Sequence, residues 1–508
     1  MKKGNITQET SRVCRALDVA PLFALGVGLF MAFYPLLAAR FAVGDDYVYI
    51  WQISHQGQGA DVFRKVVGEG RLVYAFLVVR LYTLFTSLDD LQPARAILFC
   101  MNAVAAIAVY SRIGLLLFDD IRSKFWRQAG AASLALGVMV MPGFQVLNSL
   151  VEAIPFPLAI LLALYAHRLM QRNDWAGWRG AFVIKIIGAI LMLVCALNIY
   201  QPLAMIFWIP AAIDLCNSRK SISTRLVLFV RSLFIGSVAL GLAYLLLQIT
   251  RDPTSGRAAL VADIPTKLRW FFGELLPNAL AMPFLQPDRR VQIAILVFVL
   301  TGLMLRSGRH LGEAFMTLAA FSFCILLCAI PNLVSSENSA TYRSQVALEI
   351  AFGVFAVFAL RGWGRLAALE FPEKTRGIAG VIMLMMVSVI CAGMSHYQTQ
   401  TLIAAPQAHE LNYLRTKIQN QIQDIALVKK LSIISARRSD GIAQRHMYDE
   451  FGIPSSFQTW YADAMARVVL KETTLKEHEI AITALPSSTA AGCAENTPCV
   501  DMRLMAKP

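Results

Sequence analysis

The chain has 508 residues, of which 57% are hydrophobic and only 16% charged, and its mean hydropathy is +0.55. A soluble domain carries about 25% charge, so a soluble globular enzyme is excluded. The net charge of +14 does not point to nucleic acid, because the basic residues sit in short loops between apolar runs and form no stripe interleaved with aromatics.

Apolar runs near twenty residues long recur from Pro21 almost to Met394. That is the length a bilayer requires. The first run lacks a small-residue cleavage site and many more follow it, so it reads as a retained helix and not a removed signal peptide. Lys2, Lys3, Arg12 and Arg15 precede it, which predicts a cytoplasmic N-terminus. Further basic loops follow at Arg122, Lys124 and Arg127, at Arg168, Arg172 and Arg179, and at Arg219, Lys220 and Arg225. Two more lie at Arg306 and Arg309 and at Arg361, Arg365, Lys374 and Arg376. The turns near Asn148, near Tyr200 and from Pro331 to Thr341 carry no Lys or Arg. This alternation predicts an all-α polytopic protein with eleven spans, at roughly 20–40, 95–118, 129–147, 151–167, 181–199, 202–216, 227–249, 291–305, 311–330, 343–361 and 377–395.

Arg71–Leu88 is apolar enough to span but carries Arg80 in its middle. Counting it would invert every later loop, so it is expected as a helix along the outer leaflet. The chain then divides into a membrane domain over 1–395, with external loops at about 41–94 and 250–290, and an external tail over 396–508. The tail's polar-rich pattern suits a small α/β unit. Of nine cysteines, Cys493 and Cys499 lie close together in its polar CAENTPC stretch. In an oxidising compartment they are expected to form a disulfide, two free thiols being the alternative.

Candidate chemistry starts at FAVGDDYVYIWQ, where Asp45 and Asp46 stand side by side at the end of the first apolar run. One reading makes Asp45 or Asp46 the cap of a helix beginning near Tyr47, with Tyr47, Tyr49 and Trp51 in an interfacial aromatic belt. The other makes one carboxylate a general base in a partly dry cleft and leaves its neighbour to orient it or bind a cation. Glu152, at another external turn, either pairs with an Arg such as Arg71 or Arg80, or holds acceptor hydroxyls or shares a cation with the acidic pair. Arg71, Arg80 and Arg343 lie at the outer boundary, where they either snorkel to headgroups or bind a phosphate. Tyr200 and Gln201 either form a turn ended by Pro202 or bond sugar hydroxyls, and Tyr342 flanks Arg343. Trp460 and Tyr461 are read as core packing ahead of carbohydrate binding. His55, His167, His310, His396 and His446 are scattered, and none is read as a ligand.

The stretches GDDYVYIWQ, GEGRLVYAFLVVRLY, NIYQPLA and SSENSATYRSQVAL, with DEFGIPSSFQTWYADA in the tail, carry a resemblance when taken in order and by side. Together they resemble the C-type glycosyltransferase superfamily, and within it the bacterial and bacteriophage type II glucosyl transferase family that modifies lipopolysaccharide O-antigen. The resemblance implies a C-type transferase fold in a bacterial inner membrane, with the C-terminus in the periplasm. It also implies an inverting transfer from a polyprenyl-phosphate-linked sugar to a lipid-linked glycan, in company with a small flippase and a donor-synthesising glycosyltransferase. The acidic pair would supply the base, Asp46 being slightly preferred, and a divalent cation is an open possibility. Position 44 departs from the pattern, since Gly stands where a polar residue such as Asn is expected. Two alternatives remain beside this reading: a transporter or flippase of lipid-linked sugars, and a transferase of the same superfamily acting on lipid A or protein.

Overall fold

The computed structural model describes residues 3–171, 179–251, 259–280, 284–285, 288–307, 310–338, 341–367, 373–421, 430–437, 451–473, 480–488 and 498–505. Lys2, Arg172, Arg309, His446 and Cys493 lie outside them. Among the described residues, nine helices are long and apolar enough to cross a membrane. They coincide with nine of the eleven expected spans. Large apolar side chains such as Phe23, Ile184, Ile249, Phe315 and Val389 point outward from the bundle. A belt of that size is not left against water, and the chain is a multi-pass membrane protein.

The interior is closed by small residues, as expected where helices pack without a hydrophobic driving force. Helix Arg289–Ser307 crosses helix Val346–Ala367 so closely that a Cβ on Gly302 would stand 2.6 Å from the Ala359 Cβ. Helix Val346–Ala367 is the most enclosed of the nine.

The two remaining expected spans, 129–147 and 202–216, are not single helices. The first is a pair, Lys124–Met139 and Pro142–Ser149, bent by 65°. Pro142 opens the second half, where its missing N–H costs nothing. Broken backbone at this depth must be satisfied inside the protein. Here the Gly143 N–H donates to Glu349 Oε2 at 3.1 Å, and the Gln145 amide donates to Val140 O at 3.0 Å and Gln398 Oε1 at 2.8 Å. The second stretch, Gln201–Leu215, is interrupted by a 3-10 turn at Met205–Phe207 and reaches only about 22 Å, short of the ~30 Å core. Helix Leu72–Tyr82 is shorter still at 11 residues, about 16 Å, so the segment expected along the outer leaflet is too short to cross as one helix.

The last apolar helix, Glu373–Gln398, does not end near 395. It runs through a π-turn at Thr399–Ala404 into helix Ala405–Gln421. The tail beyond carries a three-stranded parallel sheet in the order β2-β1-β3, with β1 Lys430–Ile434, β2 Ala481–Leu485 and β3 Cys499–Asp501. Leu431 pairs with Ile482 on one side, and Ile433 pairs with Val500 on the other. Helix Thr459–Thr473 connects β1 to β2, burying Ala462, Met465, Val468 and Val469. Cys499 is disulfide-bonded, and its expected partner Cys493 is outside the described residues.

Candidate functional site

The two aspartates lie in the first turn of helix Gly44–Tyr49, which starts earlier than the expected Tyr47. Successive helical residues point about 100° apart, so the pair must diverge. Asp46 turns inward and is wholly buried. Its Oδ1 accepts the Tyr82 hydroxyl at 2.6 Å and the Val151 N–H at 3.1 Å, and its Oδ2 accepts the Val43 N–H at 3.3 Å. Arg95 lies 3.8 Å from Oδ2 and also donates to Phe41 O at 2.6 Å. Burial pushes the Asp46 carboxyl above its ordinary range, against the opposite pull of Arg95 and Tyr82. Asp46 therefore ties its helix to the bundle and closes the helix start through Val43.

Asp45 turns the other way, and its side chain keeps 23% of its surface open. Oδ1 accepts the Tyr461 hydroxyl at 2.9 Å, and Oδ2 accepts from Arg343 Nη1 at 3.3 Å. The same Nη1 lies 3.6 Å from Glu152 Oε1, while Tyr74 donates to Glu152 Oε2 at 3.2 Å. Arg343 thus stands between two carboxylates, where a cation shared by Glu152 and the acidic pair was one expectation. Among the described residues no group of three His, Cys, Asp or Glu is arranged around a metal position. With both carboxylates already compensated by Arg343, this donor set does not fit a divalent ion.

Around this centre the other expected residues form a second ring. Tyr200 stacks on Phe156 at 4.2 Å and donates to the Arg343 carbonyl at 2.9 Å, fixing the turn that presents Arg343. The Arg71 guanidinium lies over the Tyr200 ring at 5.5 Å and 3.9 Å from Glu69, and its Nε is buried without a hydrogen-bond partner among the described residues. Gln201 donates to Gly70 O at 3.2 Å, holding the turn before Arg71, where Gly70 takes φ +80°. Tyr342 is buried edge-on to Phe451 of the tail. Arg80 is not drawn in. It is exposed over Phe76, at the far end of helix Leu72–Tyr82.

Three residues of this cluster, Tyr74, Tyr82 and Arg95, escape the sequence reading as site members, and Tyr461 enters it only as the lesser alternative of carbohydrate binding. Tyr461 stands on helix Thr459–Thr473 and roofs the site from the tail. Its ring explains Gly44, because a Cβ there would stand 2.7 Å from the Tyr461 Cζ. Burial, and then the Asp45 charge, push the Tyr461 hydroxyl well above its ordinary range, so it stays a donor. Further ties hold the roof down: the Leu88 N–H donates to Glu472 at 2.7 Å, and Arg467 lies over Trp51 at 5.4 Å.

No family model matches this chain, and no curated protein matches its sequence. What can be said of its activity rests on the geometry above and on the motif resemblance.

Proposed function

We propose that the protein is a membrane glycosyltransferase with Asp45 as general base, taking a sugar from a polyprenyl-phosphate donor to a lipid-linked envelope glycan. The observation that carries this reading is the division of the acidic pair. One carboxylate is sealed in the core, while the other keeps part of its surface open where the bundle meets the tail, beside Arg343 and Glu152. The C-type transferase fold, the glucosyl identity of the sugar and the periplasmic side come from the resemblance and the loop charges.

The chemistry needs three things. As an acceptor hydroxyl attacks the anomeric carbon, its proton passes to a base, which is worth about 10²–10⁴ in rate. Asp45 is the open carboxylate for this. The bond from the anomeric carbon to the phosphate oxygen breaks on the opposite face, and the phosphate leaves carrying the electron pair. Arg71, whose Nε lacks a partner among the described residues, and Arg343 supply donors for the developing charge. Glu152 and Tyr74 hold Arg343 in place and offer polar atoms to acceptor hydroxyls. Tyr461 covers the reacting centre and orients Asp45.

A transporter of lipid-linked sugars is the second reading. The bent pair Lys124–Met139 and Pro142–Ser149 favours it, since broken helices mark many transporter sites. One experiment separates them. Purified protein is mixed with a labelled polyprenyl-phosphate hexose and a lipid-linked glycan in detergent, where no gradient or second compartment exists. Label moving to the glycan supports the transferase; label staying on the donor, with donor binding retained, supports transport.

A further inference from the structure

The opposite end of the bundle holds a second polar site. Along helix Val346–Ala367 it is about 23 Å from Val346, near the acidic cluster, to Arg361. There a cavity of about 260 Å³ opens between the ends of several helices, just below the usual ~300 Å³ floor of small-ligand pockets. Three carboxylates and three arginines line it, and Arg225 and Arg361 add two more positive charges behind them. Asp119 is engaged by Arg219 and Asn217, Glu313 takes both arms of Arg225 at 2.8 and 2.6 Å, and Asp120 pairs with Arg361 and Arg365. Arg306 is left over. Its guanidinium lies over the Phe358 ring at 4.0 Å, lines the cavity, and has no carboxylate within ion-pair distance among the described residues. Its backbone carbonyl is held at 3.2 Å by Arg365, so its position is fixed. Helix Leu311–Cys328 also starts at this cavity, adding the positive end of its dipole. The second orphan is of opposite kind: Asp120 Oδ1 is buried and accepts from no donor among the described residues. A buried acceptor left unmet and a cation without a counter-ion are both destabilising, so a ligand that meets them gains from both.

We propose that this cavity binds the phosphate ester of a polyol, with the phosphate on Arg306 and a hydroxyl donated to Asp120 Oδ1. A free polyol leaves Arg306 unpaired, and inorganic phosphate can reach Asp120 only with a P–OH on the same group that carries its charge, whereas in a polyol ester the donor hydroxyl stands on carbon, away from the phosphate. A phosphoglycerol lipid headgroup and a soluble polyol phosphate share this chemistry. The proposal is independent of the transferase reading, since its test reads binding and not turnover.

Full-length protein in phosphatidylcholine nanodiscs is titrated with glycerol 3-phosphate and with inorganic phosphate, and separately reconstituted with rising phosphatidylglycerol. Binding is read from the thermal-unfolding midpoint and from lipid retained in native mass spectra. Saturable binding of glycerol 3-phosphate, about tenfold tighter than inorganic phosphate, identifies a soluble ligand; retention of phosphatidylglycerol over phosphatidylcholine identifies a headgroup. Either is expected to weaken at least about tenfold in Arg306→Gln, the loss of one charge-assisted pair. If Arg306→Gln does not fold, Arg306→Lys is read in its place, with weaker binding expected because Lys lacks the two-armed contact. No binding of any probe by the wild type overturns the proposal. So does equal binding by the folded Arg306 variant, or inorganic phosphate binding as tightly as the ester.

Discussion

Tyr461 donates its hydroxyl to Asp45 at 2.9 Å, joining residues 416 positions apart in the chain. The bond sets a tail residue directly on the open carboxylate of the acidic pair, at the point where the first apolar helix gives way to the loop that follows it. The tail is therefore part of the site and not an appendage to it.

Gly44 and Tyr461 should be energetically coupled. A methyl at Gly44 pushes the Tyr461 ring off Asp45, because the ring end it meets is the end that makes the bond. Gly44→Ala is expected to cost about 1–3 kcal/mol, in the range of other overpacked contacts. Tyr461→Leu in the same chain should restore part of that stability but not the activity. Thermal unfolding of the four proteins of the double-mutant cycle checks it, and a coupling energy of zero contradicts the contact.

Arg343 compensates Asp45 and Glu152 together. Arg343→Gln leaves two carboxylates facing each other and removes a donor for the leaving phosphate. Transfer should fall at least about 100-fold, as for loss of a transition-state donor. Arg343→Lys keeps the charge and not the two-armed geometry, and should fall in between. Initial rates at saturating donor read the difference.

Asp46 should matter for stability where Asp45 matters for rate. Asp46→Ala strips acceptors from Tyr82, Val43 and Val151 and leaves Arg95 buried beside no counter-charge. Breaking such a buried pair costs about 3–5 kcal/mol. Asp45→Asn, at a partly open carboxylate, should cost less than about 1 kcal/mol. Unfolding midpoints in detergent rank the two, and equal midpoints contradict the division of roles.

Loop charges predict that Phe41 and the C-terminus lie on the same, external side. Reporter fusions placed after Phe41 and at the C-terminus should both report an external location. A cytoplasmic C-terminus would mean that the number of crossings is even.

Apolar length was enough to read nine helices from sequence, because a bilayer imposes that length on each one separately. It did not show that 129–147 and 202–216 are broken helices; in the first, hydropathy is blind to a break whose polar atoms are met by distant partners such as Glu349 and Gln398. The acidic pair was visible as two charges against an apolar run. Which of them stays partly open was not, since that depends on where helix Gly44–Tyr49 starts and on Tyr82 and Arg95 claiming one carboxylate. Tyr461 was out of reach for a simpler reason: no local pattern links a tail helix to a loop four hundred residues earlier. The one trace it left was Gly44, a glycine standing where a polar residue was expected.

The most direct measurement compares the mass and linkage of the envelope glycan in cells making the wild-type protein, Asp45→Asn at equal abundance, or no protein. A transferase working through Asp45 predicts one added hexose with the wild type and none with Asp45→Asn. An unchanged glycan with the wild type, or full modification by Asp45→Asn, contradicts it.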